Sequence, residues 1–232
     1  MKLQTTYAPR SLDEIVGQPV VQRLRAVTME PYPSCWLLEG PPGVGKSATA
    51  QALAWQIGVR PFPEHVFSGL CIVEGAELTV EAAKRFFGPQ SPTRFTCDTE
   101  NGRSWWVVIL EEVDWLHPNV QRLLKTALDP CNPQGFLNRR VIVLATSNGA
   151  GGLDPALLER FEILSFGSGM PFAEACQERL ASIWEREAPG EDMPPDHLAW
   201  GWQVGEENVP RFSMRKALDR MGAALEERRV AV

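Results

Sequence analysis

The chain has 232 residues, 44% hydrophobic and 22% charged, which leaves room for one large domain or a domain with a small satellite and excludes a disordered or coiled-coil protein. Its 23 Lys and Arg against 29 Asp and Glu give a net charge of −6, so an overall basic domain is excluded and any nucleic-acid contact must be local. No long apolar span is present and Met1-Lys2-Leu3 leads into no apolar signal core, the pattern expected of a cytoplasmic chain without membrane contact. Five scattered cysteines, Cys35, Cys71, Cys97, Cys131 and Cys176, form no C-x-x-C pair, so buried, reduced thiols are expected in place of disulfides or a zinc site.

In chain order, Ser11-x-x-Glu14 has the spacing of a capping box. A strand-like run, Ser34–Leu38, then leads into Gly40-Pro41-Pro42-Gly43-Val44-Gly45-Lys46-Ser47, a full match to G-x-x-x-x-G-K-[ST] in the required strand–loop–helix setting. Its glycines let successive N–H groups curl around phosphates, Lys46 neutralises their charge and the Ser47 hydroxyl can ligate Mg²⁺. The loop ends at Ala48, inside the helical spacing of Lys46–Ile57. By itself this phosphate site does not separate a motor ATPase from a GTPase or a small-molecule kinase.

A strand over Val66–Val73 and a helix over Thr79–Phe87 follow, the latter carrying Lys84 and Arg85. After the Pro-containing loop Gly88–Phe95, the strand Trp105–Leu110 ends in Glu111-Glu112-Val113-Asp114, placing carboxylates at the end of a buried strand, where open α/β sheets put their ligands. A helix over Asn119–Leu128, a strand over Arg140–Ala145 leading to Asn148, and a strand over Glu162–Phe166 complete an alternation that predicts a parallel α/β sheet sandwiched by helices. Composition shifts at Gly167-Ser168-Gly169, and beyond it three helices but no strand are expected: Phe172–Glu187, Asp196–Gln203 and Ser213–Arg229. The division is thus 1–167 and a small helical domain over 168–232. Trp105 and Trp106 read as packing residues, whereas Trp200 and Trp202 are the pair open to exposure, with packing outweighing base stacking for each.

With the phosphate loop and the acidic strand end in place, Tyr7-Ala8-Pro9-Arg10-Ser11-Leu12-Asp13-Glu14-Ile15-Val16-Gly17-Gln18 resembles the strap that precedes the phosphate loop in clamp-loader ATPases of the AAA+ class. The resemblance runs from Tyr7 to about Met221 and implies an ATP site with Mg²⁺. It places Tyr7 or Pro9 near the adenine ring and the backbone of Val16 and Gly17 at its edge. Glu111 looks like the Walker B metal position, usually Asp, and Glu112 like the base that orients the attacking water. Asn148 resembles sensor 1, and Arg160, in Leu158-Glu159-Arg160-Phe161, falls on the family's intersubunit arginine finger, although Glu159 and Phe161 replace its Ser and Cys. Arg215, in the first turn of the last helix where the helix dipole disfavours a cation, looks like sensor 2.

The family implies a homo- or hetero-oligomer with ATP at subunit interfaces, acting on DNA or a DNA-bound protein, and Lys84 and Arg85 fall near where relatives track a duplex. Its C-terminal collar domain is expected to be missing, since the sequence given stops at Val232. Two alternatives stay open: a protein remodeller, for which Gly88–Phe95 is the only aromatic loop on offer, and a nucleotide-bound structural subunit slowed by Glu111, whose extra methylene displaces the metal position by roughly 1 Å.

Overall fold

Hydrophobic runs bounded by glycine, proline and polar residues decide the architecture, which a computed structural model describes for residues 2–59, 69–88, 91, 104–136, 139–205 and 208–231. The elements are α1 (Leu3–Thr6), α2 (Gln22–Met29), β1 (Ser34–Glu39), α3 (Lys46–Ile57), β2 (Leu70–Glu74), α4 (Val80–Phe87), β3 (Trp106–Glu111), α5 (Pro118–Ala127), β4 (Val141–Ser147), α6 (Pro155–Leu158) and β5 (Glu162–Ser165). Then come α7 (Met170–Glu187), β6 (Trp202–Val204), β7 (Pro210–Phe212) and α8 (Met214–Ala231). Five strands form one parallel sheet in the order β2-β3-β4-β1-β5, as the alternation predicts.

Both faces of the sheet are covered, which is why its central strands are apolar almost throughout. Trp36, Leu38, Val107, Ile109, Ile142 and Leu144 pack on one side with α3 and the C-terminal helices, and alternate residues such as Leu37, Val108 and Val143 pack on the other with α4 and α5. Local chemistry sets the helix ends. The Thr79 hydroxyl accepts from Ala82 N to cap α4, Pro118 opens α5, and Gly58 ends α3 in the left-handed conformation. No helix among the described residues is long and apolar enough to cross a membrane.

Several expectations need correction. The second strand begins at Leu70; its expected start, residues 66–68, lies outside the described residues. The region after Gly169 is not purely helical. A short 3-10 turn, His197–Ala199, replaces the expected helix over Asp196–Gln203, and β6 and β7 pair as an antiparallel ribbon. Trp200 is 3% exposed rather than open to solvent. Its ring lies 6.2 Å from that of Trp184, and both indole N–H groups are satisfied, Trp200 by Asp196 and Trp184 by the Glu191 carbonyl. Trp202 is half-buried, edge-on to Phe212 at 5.6 Å. Ser11 forms no helix cap; its hydroxyl donates to Glu14, which also accepts from Arg10 N. Among the cysteines, Cys35, Cys71, Cys131 and Cys176 are reduced, yet Cys131 is exposed and Cys71 only half-buried, because neither belongs to the packed interior; Cys97 lies outside the described residues.

Gly201 is required by the ribbon's packing, since a Cβ there would stand 2.3 Å from the ring of the buried Phe212. Gly201→Ala therefore overpacks the C-terminal region and is expected to cost about 1–3 kcal/mol. Urea unfolding measures this as a lower midpoint, and an unchanged midpoint contradicts the packing.

Candidate functional site

The site lies at the C-terminal edge of the sheet. β1 and β4 run parallel in register, pairing Leu38 with Thr146 and Glu39 with Ser147, and Gly40 N donates to Ser147 O. The phosphate loop and Asn148 thus leave the sheet side by side. Gly43 and Gly45 take positive φ of 85° and 99°, which turns the loop onto the N-terminus of α3. Lys46, only 8% exposed, folds back beneath the loop and donates to Gly40 O at 2.6 Å, Pro41 O at 2.8 Å and Asn148 Oδ1 at 3.1 Å. Burial pushes its ammonium down to about 8; Arg215 acts in the same direction, and Asp114 and Glu112 oppose it.

The Ser47 hydroxyl and the Glu111 carboxylate line the cavity close enough for Ser47 to act on the carboxylate's titration, so the two share one reach. That pair fits a Mg²⁺ ion, which takes few protein oxygens and leaves its other positions to water and phosphate. Burial raises the Glu111 pKa, with Glu74 and Glu112 adding to it and Ser47 and Arg215 countering.

The next residue, Glu112, is exposed and left-handed at φ 52°, an uncommon state for a non-glycine residue, costing on the order of 1–3 kcal/mol. Neighbours hold it there. Its N–H donates to Thr146 Oγ1 at 3.1 Å, its carbonyl accepts from Trp115 N, and Gly75 packs so closely that a Cβ would stand 2.4 Å from that carbonyl oxygen. Asn148 is fixed from both sides, its N–H donating to Asp114 and its side-chain oxygen accepting from Lys46.

The C-terminal helices close the other wall around a cavity of about 350 Å³. Met214 N, at the start of α8, donates to Gly43 O, and a Cβ on Gly43 would stand 2.0 Å from Ser213 Oγ, so the loop and α8 touch directly. Ser213 caps α8 by accepting from Lys216 N, and Arg215 in the first turn faces the cavity. Gln18 ties three segments together, donating to Val44 O and Gly167 O and accepting from Gly167 N. Tyr7 lines the cavity and donates to Glu187 on α7 at 2.8 Å.

Of the residues expected from the sequence, Tyr7, Val16, Pro42 through Ala48, Glu111, Glu112, Asn148 and Arg215 line this one cavity. Gly17, Gly40 and Pro41 stand behind its wall: Gly17 packs against Phe172 and Ala175, and the other two supply carbonyls to Lys46. Arg160 lies outside the cavity of its own chain, paired with Asp129 at 3.2 Å with both side chains about one-third exposed. Lys84 and Arg85 lie on the exposed face of α4, and of the loop 88–95 only Gly88 and Ser91 are described. Sequence reading missed Thr146, Asp129 and Arg179. Arg179 shares a helix face with Phe172 and Ile183, and that spacing from Phe172 was the one signal available.

A parallel sheet with a phosphate loop at the mouth of β1 and carboxylates at the end of β3 defines a P-loop nucleoside triphosphatase fold. Residues 36–167 match the ATPase family associated with various cellular activities (AAA), and the chain belongs to that family. Among curated proteins it is similar to the replication factor C small subunit of Archaeoglobus fulgidus, 26% identical over 182 residues that cover 78% of this chain and 52% of the relative. The replication factor C small subunit of Aeropyrum pernix is 29% identical over 224 residues, 94% of this chain and 61% of the relative. The chain therefore spans roughly half of these relatives and is a clamp-loader-like AAA+ protein in its matched part. Among solved structures, a point mutant of Thermotoga maritima RuvB superposes with a TM-score of 0.68 at 20% identity, covering 97% of this chain and 68% of that one, which shows the shared fold.

Phosphate would restore the charge of Lys46, so nucleotide binding takes up a proton wherever the bare site has begun to lose one. At pH 7 the amine is charged in both states; above its value of about 8 the free site is increasingly neutral. ADP affinity should fall by up to about tenfold per pH unit above that point. Calorimetry in two buffers of different ionisation enthalpy is expected to show net proton uptake on ADP binding near about pH 9 that shrinks as the pH falls toward about 7. Absence of uptake at the higher pH contradicts the desolvated lysine.

Proposed function

We propose that the chain is an ATP-binding and ATP-hydrolysing module of clamp-loader type that assembles with nucleotide at its subunit interfaces and acts on DNA or a DNA-bound protein. The observation that carries this is the meeting of Lys46, Ser47, Glu111, Glu112 and Asn148 in one cavity while Arg160 stands outside it. Replication factor C relatives across most of the chain support a role in DNA replication.

Lys46 and the loop N–H groups would hold the phosphates, and Ser47 and Glu111 would hold Mg²⁺, which would supply charge neutralisation. Glu112 accepts the proton of the attacking water, its backbone fixed by Thr146 and Gly75. Asn148 orients that water with its amide, and Arg215 draws the C-terminal helices toward the phosphates. Arg160 acts on a neighbouring subunit's site, where its guanidinium stabilises transition-state charge. Arg160 is about one-third exposed and paired with Asp129, so serving another subunit requires it to turn outward and release that partly solvated ion pair, an interaction of small worth. The reading as a nucleotide-bound structural subunit rests on Glu111 standing at the end of β3 where the family usually carries Asp.

ATP turnover with and without primed DNA, together with sizing in ATP, separates the readings. DNA-stimulated turnover by an assembly supports the first, and a stable assembly with negligible turnover supports the second. Arg160→Ala should lower turnover by about a thousandfold or more while nucleotide affinity is kept; full activity removes the finger. Glu111→Asp should raise turnover, by up to about a hundredfold if the extra methylene misplaces the ion; an unchanged rate removes that explanation for slow hydrolysis.

A further inference from the structure

Arg179 stands at the middle of the α7 face that Phe172, Ala175 and Ile183 share at spacings of three or four residues. This face runs along the N-terminal segment and is anchored to it at both ends. Phe172 and Ala175 press on Gly17, and Glu187 accepts from Tyr7 Oη. The cavity opens between these anchors, and Arg179 lines it.

The side chain is half-buried, and among the described residues no carboxylate lies within ion-pair distance of it. A guanidinium partly withdrawn from water without a counter-group is costly, and a ligand rich in acceptors or π-electrons removes that cost.

Its position along the cavity tells which part of a ligand it meets. Arg215 is among the charges that act on Lys46 and Glu111, so it belongs to the phosphate end. Arg179 is absent from those charges and acts instead on Tyr7. Tyr7 packs in one apolar cluster with Ile15, Val16 and Ile183, and Gln4 and Glu14 also line the cavity.

We infer that Arg179 is a nucleoside-binding residue, its planar guanidinium lying against the base and donating to the sugar oxygens at the apolar end of the cavity. This rests on the nucleotide reading above. A planar, permanently charged fork can stack on a purine and donate at its rim in the same pose, which a lysine ammonium cannot. Since α7 follows the Gly167–Gly169 junction, the C-terminal region grips the ligand twice, at the nucleoside through Arg179 and at the phosphates through Arg215.

Calorimetric titration of the full chain with Mg·ADP and with Mg·tripolyphosphate separates the two ends. Arg179→Met keeps the aliphatic stem and removes the donors, and Arg179→Lys keeps the charge without the plane. Arg179→Met should weaken ADP binding about tenfold, with Arg179→Lys recovering only part, while tripolyphosphate affinity stays within about twofold in both. Unchanged ADP affinity in Arg179→Met overturns the inference, as does an equal loss for both ligands, which places the guanidinium at the phosphates. Should Arg179→Met lower the nucleotide-free melting temperature, Arg179→Lys decides on the same criterion, a loss confined to ADP. If the unsubstituted chain binds neither ligand, the nucleotide reading itself fails; if it binds both and the variants bind equally well, only the role of Arg179 fails.

Discussion

The parallel, in-register pairing of β1 with β4 is the constraint from which the site follows. Because Glu39 lies opposite Ser147 and Gly40 N reaches Ser147 O, the two chains leave the sheet at the same height. The phosphate loop and Asn148 have no freedom to separate, and Lys46 can bridge them with one ammonium. A shift of one residue in that pairing turns every side chain of the strand to the opposite face and empties both cores, so the register is protected by the burial of residues such as Leu37 and Leu144 far from the chemistry. Packing in the interior thereby fixes the spacing of the groups at the mouth.

The same rigidity lets the site hold arrangements that are unfavourable in isolation. Lys46 is withdrawn from water with no carboxylate among the described residues in direct contact, and Glu112 occupies a left-handed backbone. Each is maintained by several hydrogen bonds or close contacts from different elements, including Thr146 on β4 and Gly75 after β2. Strain concentrated where phosphate and water would sit is the usual companion of a preorganised site.

The α/β architecture was legible because burial on both faces makes each central strand a nearly continuous apolar run, and because glycine and proline punctuate the runs. The phosphate loop was legible for a different reason, since wrapping a phosphate demands backbone states that few residues other than glycine supply. The ribbon of β6 and β7 was not. Three-residue strands are too short to show a period of two, and Pro210 inside a strand argues against one unless it lies on an edge. Trp200 and Trp202 misled because their burial depends on Trp184 and Phe212, which are distant or offset in sequence. Within the candidate site, the residues of the loop and strand ends were foreseeable from motif spacing. Asp129 beside Arg160 and the φ of Glu112 were not, since both depend on tertiary neighbours that one-dimensional pattern does not encode, and for Arg179 the helical spacing from Phe172 gave a face but not the cavity it lines.

The contact between Gly43 and the first residues of α8 has a mechanical side. The helix spans 18 residues, Met214–Ala231, and its N-terminal tip rests on the phosphate loop through Met214 N and Ser213. At 1.5 Å per residue it is a rod roughly 27 Å long whose fulcrum is its contact with Gly43. A tilt of only about ten degrees at that fulcrum would carry the far end of the helix through roughly 5 Å, a displacement the size of a side chain.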